Sequence, residues 1–211
     1  SAQPCDMRWE RRIEADGIAH KVDESSATLP LFLQYTEVLQ QLPRCSLTDL
    51  FRRWHQLDGM RAALVQPSQA LCIHVDRCTQ AHGQLGRCET IIDPDADCVV
   101  SMFLAQNMQC EDIEYSCVAL QAHLGSDQAG HYRTALRVRP TITRGTLPCA
   151  WLMCDDGASP VPVWTLPTWF LRHVTILWLV RGDKCELPEY ADSTQDSTRP
   201  SAIEAMLALL P

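Results

Sequence analysis

Between residues 70 and 181 the chain alternates apolar and polar positions with a period of two, which is typical of β-strands that bury one face. The clearest case is 70–78 (ALCIHVDRC), where one face is formed by Leu71, Ile73, Val75 and Arg77. Similar segments follow, joined by polar or proline-containing stretches, at 98–105, 115–123, 131–138, 150–154 and 174–181. The pattern predicts about six strands.

A helix is predicted upstream of these strands, at residues 46–57. Ser46 is a suitable N-cap, and Asp49 follows it three residues later. The apolar residues of the segment recur three and four positions apart, as one face of a helix requires: Leu47, Leu50, Phe51 and Trp54.

The first 35 residues contain two further strand candidates, at 8–15 and 29–35, separated by a polar, turn-prone stretch at 22–28. A helical start followed by about six strands with short joins predicts an α+β fold with a mainly antiparallel sheet. After Arg181 the composition becomes polar and acidic. We interpret 182–211 as a tail that closes with a short apolar helix candidate at 202–210.

The composition is that of one folded domain, since 46% of the 211 residues are hydrophobic and 21% are charged. The net charge of −8 argues against nucleic acid as a partner, because nucleic acid favours a basic face. The longest strongly apolar run, 174–180, is far shorter than the roughly 20 residues that span a bilayer. We therefore expect a soluble protein without a membrane partner. No charged-then-apolar secretory leader opens the sequence. The first residue is Ser1 rather than Met, so we also expect a fragment or a processed product.

The 11 cysteines do not have the spacing of a metal site, because no C-x-x-C pair occurs in the sequence. Several lie in strand-like segments, where a reduced thiol behaves as a small buried hydrophobic group. We predict mostly reduced cysteines in an intracellular protein, with no bound metal or other cofactor. A disulfide framework and a thiol or metal protein built on these cysteines are the alternatives.

One hairpin brings a histidine close to an acid. The segments 131–139 and 150–156 are strand-like, and a turn-rich stretch joins them. If this loop is centred near Thr143, opposed residue numbers add up to about 286 and His131 faces Asp155. Directly opposed residues have Cβ atoms about 4.5–5.5 Å apart, so the imidazole and the carboxylate could form a hydrogen bond.

Such a pair is what a general base in nucleophilic catalysis requires, because the carboxylate fixes the tautomer of the imidazole and stabilises the imidazolium. Gly130, next to His131, would let an extended substrate backbone approach closely. A register slip of two residues would move the acid to Asp156. The alternative is a surface hairpin in which the histidine and the acid are both solvated.

The segment 115–132 (YSCVALQAHLGSDQAGHY) resembles the histidine box of ubiquitin-specific proteases, Y-x-L-x-A-V-x-x-H-x-G-x-x-x-x-G-H-Y. The match has no gap, and two positions differ: Cys117 stands for the usual Leu and Leu120 for the usual Val. The matching fixed positions are Tyr115, Ala119, His123, Gly125, Gly130, His131 and Tyr132. Downstream, WLMCDD resembles the family motif W-x-x-x-[DN]-D and puts the third catalytic residue at Asp155. The segment 67–78 is similar to the strand P-x-x-L-x-I-x-L-x-R-F of the same family, and the resemblance covers about 9–181.

The resemblance implies a papain-like cysteine isopeptidase with fingers, palm and thumb, which cuts after the C-terminal Gly-Gly of ubiquitin. It implies that His131 is the general base, that Asp155 orients it, and that Asp156 is a neighbouring polar stabiliser. The loop 125–130, including Gly125 and Gly130, would cover the tail of ubiquitin. His123 and Tyr132 would help to wall the tunnel for that tail, and the family's intracellular site of action would be cytoplasmic or nuclear.

The nucleophile box of the family, N-x-G-N-T-C, has no counterpart in the sequence, since none of the 11 cysteines follows Gly-Asn. We therefore expect 1–181 to be the C-terminal fingers and palm of a catalytic domain, with the thumb largely missing. The zinc-binding C-x-x-C pairs of the fingers are absent too, so no structural zinc is predicted. A deubiquitinase portion that is inactive alone is the first hypothesis, and a catalytically dead ubiquitin-binding module is the second. Either would expose an apolar palm for a missing N-terminal half or another protein.

Overall fold

The computed structural model describes residues 8–25, 29–32, 43–57, 59–81, 84–94, 98–125, 129–141 and 149–187. Two α-helices lie in these ranges, α1 (Leu47–His55) and the short α2 (Thr168–Leu171). None of the described helices is long and apolar enough to cross a membrane. The tail beyond residue 187, with its helix candidate at 202–210, lies outside the described residues.

Strands make up most of the described chain. They are β1 (Trp9–Ala15), β2 (Ile18–Ser25), β3 (Leu29–Phe32), β4 (Arg44–Ser46), β5 (Gln56–Leu57), β6 (Met60–Leu64), β7 (Ala70–Asp76), β8 (Cys78–Ala81), β9 (Gln84–Arg87), β10 (Ile91–Asp93), β11 (Cys98–Phe103), β12 (Cys110–Gly125), β13 (Gly130–Thr141), β14 (Cys149–Cys154), β15 (Val161–Val163) and β16 (Val174–Arg181).

One large sheet has the order β15-β14-β13-β12-β11-β6-β1-β2, and β16 joins it by pairing with both β12 and β7. Most pairs in it are antiparallel, but β3 pairs parallel to β7, and β11 meets β6 in a parallel bridge. Two small ribbons, β4–β10 and β8–β9, complete the described strands. The predicted strand-rich fold with few helices is therefore confirmed, as a mixed sheet.

The sequence signals of helix α1 are confirmed by its contacts. The Ser46 hydroxyl accepts a hydrogen bond from the backbone N–H of Asp49 at 3.1 Å, which satisfies one free donor of the first turn. The helix ends at His55, two residues before the predicted end, because the chain turns into β5 there. Its apolar face is buried, and Trp54 packs edge-on against Trp9 of β1 with ring centroids 5.7 Å apart.

The alternating face predicted in β7 is also confirmed: Leu71, Ile73 and Val75 are almost fully buried. Arg77, which follows them, is buried too and acts as a cross-link rather than as a surface charge. Its guanidinium donates to the carbonyl oxygens of Val174 at 2.6 Å, Cys88 and Thr90 at 2.9 Å and Leu171 at 3.1 Å. Burial lowers the pKa of Arg77 to about 10.

The expected turn at 22–28 was wrong in part, because β2 extends from Ile18 to Ser25. The chain reverses earlier, at Asp16 and Gly17, which both have positive φ angles of 53° and 74°. Asp-Gly is a strong hairpin signal, since both residues tolerate this conformation. Pairing of β2 with β1 then overrides the polar character of its second half.

Candidate active site

The histidine box forms the hairpin β12–β13. In its antiparallel ladder His123 pairs with Tyr132, Leu124 with His131, and Gly125 with Gly130. The loop between the strands, at 126–128, lies outside the described residues. The ladder therefore brings the five predicted site residues of this box to one end of the sheet: His123, Gly125, Gly130, His131 and Tyr132.

The register of β13 with β14 differs from the expected one. Thr134 pairs with Cys154, and Leu136 pairs with Leu152, so opposed numbers add up to 288 rather than 286. One further step along the ladder sets Arg133, not His131, against Asp155. The ladder shifts again between Arg137 and Thr141, where Thr141 pairs with Cys149. Because the difference from the expected register is two residues, it keeps the same side of the strand and leaves His131 and Asp155 as diagonal neighbours.

His131 and Asp155 nevertheless form a hydrogen bond, between Nε2 of the imidazole and Oδ1 of the carboxylate. The other ring nitrogen, Nδ1, lies 3.4 Å from Oδ2 of Asp156. Asp156 has a positive φ of 42°, and its side chain is 79% exposed, whereas those of His131 and Asp155 are 42% and 37% exposed. The imidazole is therefore anchored through Nε2, and Nδ1 lies beside the exposed carboxylate of Asp156.

The electrostatics of the pair favour an ionised Asp155. The hydrogen bond from His131 is the main cause that lowers the pKa of the Asp155 carboxyl, with partial desolvation opposing it. Arg133 contributes in the same direction as His131, since its Nη2 lies 2.7 Å from Oδ2 of Asp155. Both oxygens of the carboxylate thus have a partner.

Three other predicted site residues, His123, Gly130 and Tyr132, form a second group. The rings of His123 and Tyr132 stack with centroids 4.7 Å apart and planes at 28°. Gly130 lies directly beneath the His123 ring, since a Cβ built at Gly130 would overlap Nε2 of that ring. Side chains alternate along a strand, so this group lies on the opposite side of β13 from His131. Tyr132 is 51% exposed there.

Gly125, at the end of β12, has a φ of +126°, which L side chains rarely adopt. A Cβ at this position would lie 2.5 Å from the carbonyl oxygen of Ala129 and 2.8 Å from Cα of Gly130. The close approach of the two strand ends therefore needs a residue without a side chain at Gly125.

Residues outside the box hold it in place. Arg87 of β9 donates to the carbonyl oxygens of His123 at 2.8 Å and Gly125 at 3.3 Å. The backbone N–H of His123 donates to the carbonyl oxygen of His173 at 2.9 Å. Burial is the main cause that lowers the pKa of His173. No sequence signal pointed to Arg87, because its partners lie 36 and 38 residues away along the chain.

The three donors His131, Asp155 and Asp156 bring one ligand atom each to within 4.8 Å of one another, which raises the question of a metal ion. The Nε2 atom of His131 already bonds Asp155, and Asp155 is also paired with Arg133. This leaves Nδ1 and the Asp156 carboxylate as available donors, fewer than the three protein ligands of catalytic zinc sites. The described geometry fits a base with its orienting acid better than a metal centre.

No protein-family model and no curated protein matches the sequence. Solved structures do match it in fold. A chain of the yeast SAGA DUB module aligns with a TM-score of 0.56 at 13% identity and covers 86% of this chain and 38% of that one. Chains of the SAGA Ubp8/Sgf11/Sus1/Sgf73 DUB module bound to ubiquitin aldehyde and of a Ubp8 variant module bound to monoubiquitin give TM-scores of 0.58 and 0.56.

Both ubiquitin-bound structures are 13% identical to this chain, and each alignment covers 86% of this chain and 41% of the other. The chain thus spans about two-fifths of the length of the chains it matches. At this level of identity the likeness concerns the fold alone. The mixed sheet described above is therefore a fold of the kind found in the SAGA DUB module, in agreement with the coarse fold that the histidine box implied.

Proposed function

We propose that this chain is a portion of a cysteine-type deubiquitinase of the ubiquitin-specific protease kind, and that it supplies the general base and the acid that orients it. The observation that carries the proposal is the hydrogen bond between His131 Nε2 and Asp155, which does not engage Nδ1. The fold supports the same assignment, because chains of similar fold belong to SAGA DUB modules that are bound to ubiquitin aldehyde and to monoubiquitin. The proposal includes the papain-like arrangement of fingers, palm and thumb that the histidine box implies.

In the proposed reaction Nδ1 of His131 takes the proton of a cysteine thiol and later returns it to the leaving lysine amine. Asp155 keeps the proton of the neutral imidazole on Nε2, so that Nδ1 can act as the acceptor. Asp156 lies beside Nδ1 and would stabilise the imidazolium after proton transfer. Its high exposure lets its carboxylate turn away when the thiol needs the space.

We place the nucleophile outside these 211 residues. A thiol attacks as the thiolate, so a raised pKa makes a poor nucleophile. Burial raises the pKa of Cys45 to about 11 and also raises that of Cys110, Cys117 and Cys154. The other observation covers the whole sequence, because none of the 11 cysteines follows the Gly-Asn that precedes the nucleophile of the family. The 1–181 portion would correspond to fingers and palm, with 182–211 as a tail, and we expect no activity from the chain alone.

The proposed substrate is the C-terminal Gly-Gly of ubiquitin joined to a lysine of another protein. Gly125 and Gly130 border the hairpin loop that would cover this tail, and His123 with Tyr132 would form a wall of its tunnel. The missing half of the catalytic domain, or another protein, would cover the palm. The protein would act in a reducing intracellular compartment, cytoplasmic or nuclear.

The test is turnover of a fluorogenic ubiquitin amide. We expect none from the 211-residue chain, and turnover once the chain is extended upstream by its nucleophile-bearing segment. In the extended protein His131→Ala should abolish turnover, while His74→Ala, which removes an exposed histidine of β7, should leave it unchanged. An extended protein that remains inactive, or one whose turnover survives His131→Ala, would refute the proposal.

A catalytically dead ubiquitin-binding module is the second candidate, favoured by the lack of the nucleophile box in the sequence. It predicts ubiquitin binding by the 211-residue chain without turnover in any extended form. Titration of labelled ubiquitin with the chain tests this candidate, since absence of binding would eliminate it. Turnover by the extended protein decides between it and the enzyme hypothesis.

A further inference from the structure

An arginine holds Asp155 in addition to the histidine. Nη2 of Arg133 lies 2.7 Å from Oδ2 of Asp155, while Oδ1 is occupied by His131. The carboxylate cannot rotate about its last side-chain bond without breaking one of these two contacts. Arg133 reaches this place because it adjoins Thr134, whose ladder partner Cys154 adjoins Asp155. It lies two positions from His131, on the same face of β13.

Arg133 is itself fixed by a ring. Its guanidinium carbon lies 5.3 Å from the centroid of Trp169, within the range of cation–π contacts. Trp169 belongs to α2, whose Phe170 and Leu171 are buried and whose backbone N–H groups at both positions donate to the carbonyl of Pro167. The Nε atom of Arg133 is buried and has no hydrogen-bond partner among the described residues. The ion pair and the ring are therefore the contacts that define where the guanidinium lies.

The ion pair between Arg133 and Asp155 is partly exposed to solvent. The side chains of Arg133 and Asp155 are 35% and 37% exposed, so water screens their attraction in part. The titratable groups in contact with Asp155 among the described residues are Arg133 and His131 from β13, and Asp156 adjoins it in the chain. An ion pair in such a place contributes little to stability, but it fixes direction, because Arg133 and His131 hold different oxygens of the same carboxylate.

We infer that Arg133, held against Trp169, is a positioning residue that locks the Asp155 carboxylate in the orientation that receives His131. The part of this inference that concerns catalysis rests on the proposed function, because only a working base needs a fixed acid. The positioning itself is a property of the three side chains and can be measured without any turnover. It couples helix α2 to the candidate base through one guanidinium.

The experiment is an NMR titration of the 211-residue chain, with ¹³C-labelled aspartate carboxyl groups and ¹⁵N-labelled histidine rings. Arg133→Met should move the titration of Asp155 to higher pH and broaden or remove the Nε2 proton signal of His131. Arg133→Lys keeps the positive charge but not the planar guanidinium. Its effect on the pH at which Asp155 titrates should therefore be smaller than its effect on the Nε2 proton signal of His131. Trp169→Leu should change the Asp155 titration and the His131 proton signal in the same direction as Arg133→Met does.

Arg172→Met is the matched control, because it removes an exposed arginine at the end of the same helix. It should leave both signals as in the wild type. An unchanged Asp155 titration and an unchanged His131 proton in Arg133→Met would overturn the inference, and so would equal effects of Arg133→Met and Arg172→Met. If these shifts occur and the extended protein has no turnover, the proposed enzyme function fails while the positioning role stands.

Discussion

Replacing Gly130 by alanine tests the packing at the candidate site most sharply. The added methyl group would overlap Nε2 of His123 and lie 2.6 Å from Cδ2 and 2.7 Å from Cε1 of the same ring. No φ in the left-handed region adds strain at this position, so the collision with His123 is the whole perturbation. The ring must rotate away, and its stack on Tyr132 is lost.

The expected cost follows from these two effects. Overpacking a tight site costs about 1–3 kcal/mol, and an aromatic pair contributes about 0.5–1.5 kcal/mol. Because a side chain can move where backbone cannot, we place Gly130→Ala at the lower end, about 1–2 kcal/mol in the free energy of unfolding. For a domain of this size that lowers Tm by roughly 2–8 °C.

The assay is urea unfolding followed by fluorescence, carried out as a double-mutant cycle with His123→Ala. If the His123 ring is the obstacle, Gly130→Ala should cost less than about 0.5 kcal/mol once the ring is gone. Gly157→Ala is the matched control, since nothing lies within 4 Å of a Cβ there. A full penalty for Gly130→Ala in the His123→Ala background would refute the described contact.

Three other predictions concern the same sheet. Gly125→Ala should destabilise more than Gly130→Ala in the same urea assay, because its Cβ meets backbone atoms and its φ of +126° is unfavourable for alanine. Arg77→Met should lower the unfolding free energy by about 3 kcal/mol or more, since four carbonyl oxygens lose their donor, and an equal loss in exposed Arg52→Met would contradict this. The stabilisation from Asp155 should be complete above the ordinary aspartate pKa of about 3.9 and be lost as pH falls through the lower pKa of the folded state. Asp155→Asn should remove this component of acid unfolding. An acid transition that is unchanged in Asp155→Asn would count against the pairing.

The parts of the fold that the sequence made predictable are those in which one strong local signal agrees with the packing. Ser46 with Asp49 begins a helix whose buried face is the predicted one, and the alternation in 70–78 gives the buried side of β7. The strand β2 was missed in part because its second half is polar and owes its conformation to pairing with β1. Local propensity does not report a partner strand.

The candidate site shows the same division. Sequence spacing brought His131 near Asp155, but the register was wrong by two residues. The ladder has an irregularity between Arg137 and Thr141 that counting from an assumed turn centre does not reveal. The contact is present because an even shift preserves the face, and a carboxylate on the diagonal is still within reach of an imidazole. Arg133 could have been found, since it lies two positions from His131 on one face. Trp169 could not, because nothing local links α2 to β13.

The catalytic roles of His131 and Asp155 remain predictions, and one comparison tests them together. It is kcat/KM on a fluorogenic ubiquitin amide for the upstream-extended protein with Asp155→Ala and, separately, with Asp156→Ala. The account predicts a loss of about 100-fold or more for Asp155→Ala, because the general base loses its orienting partner, and a much smaller loss for the exposed Asp156→Ala. Equal losses, or a larger one for Asp156→Ala, would contradict the claim that Asp155 sets the imidazole for catalysis.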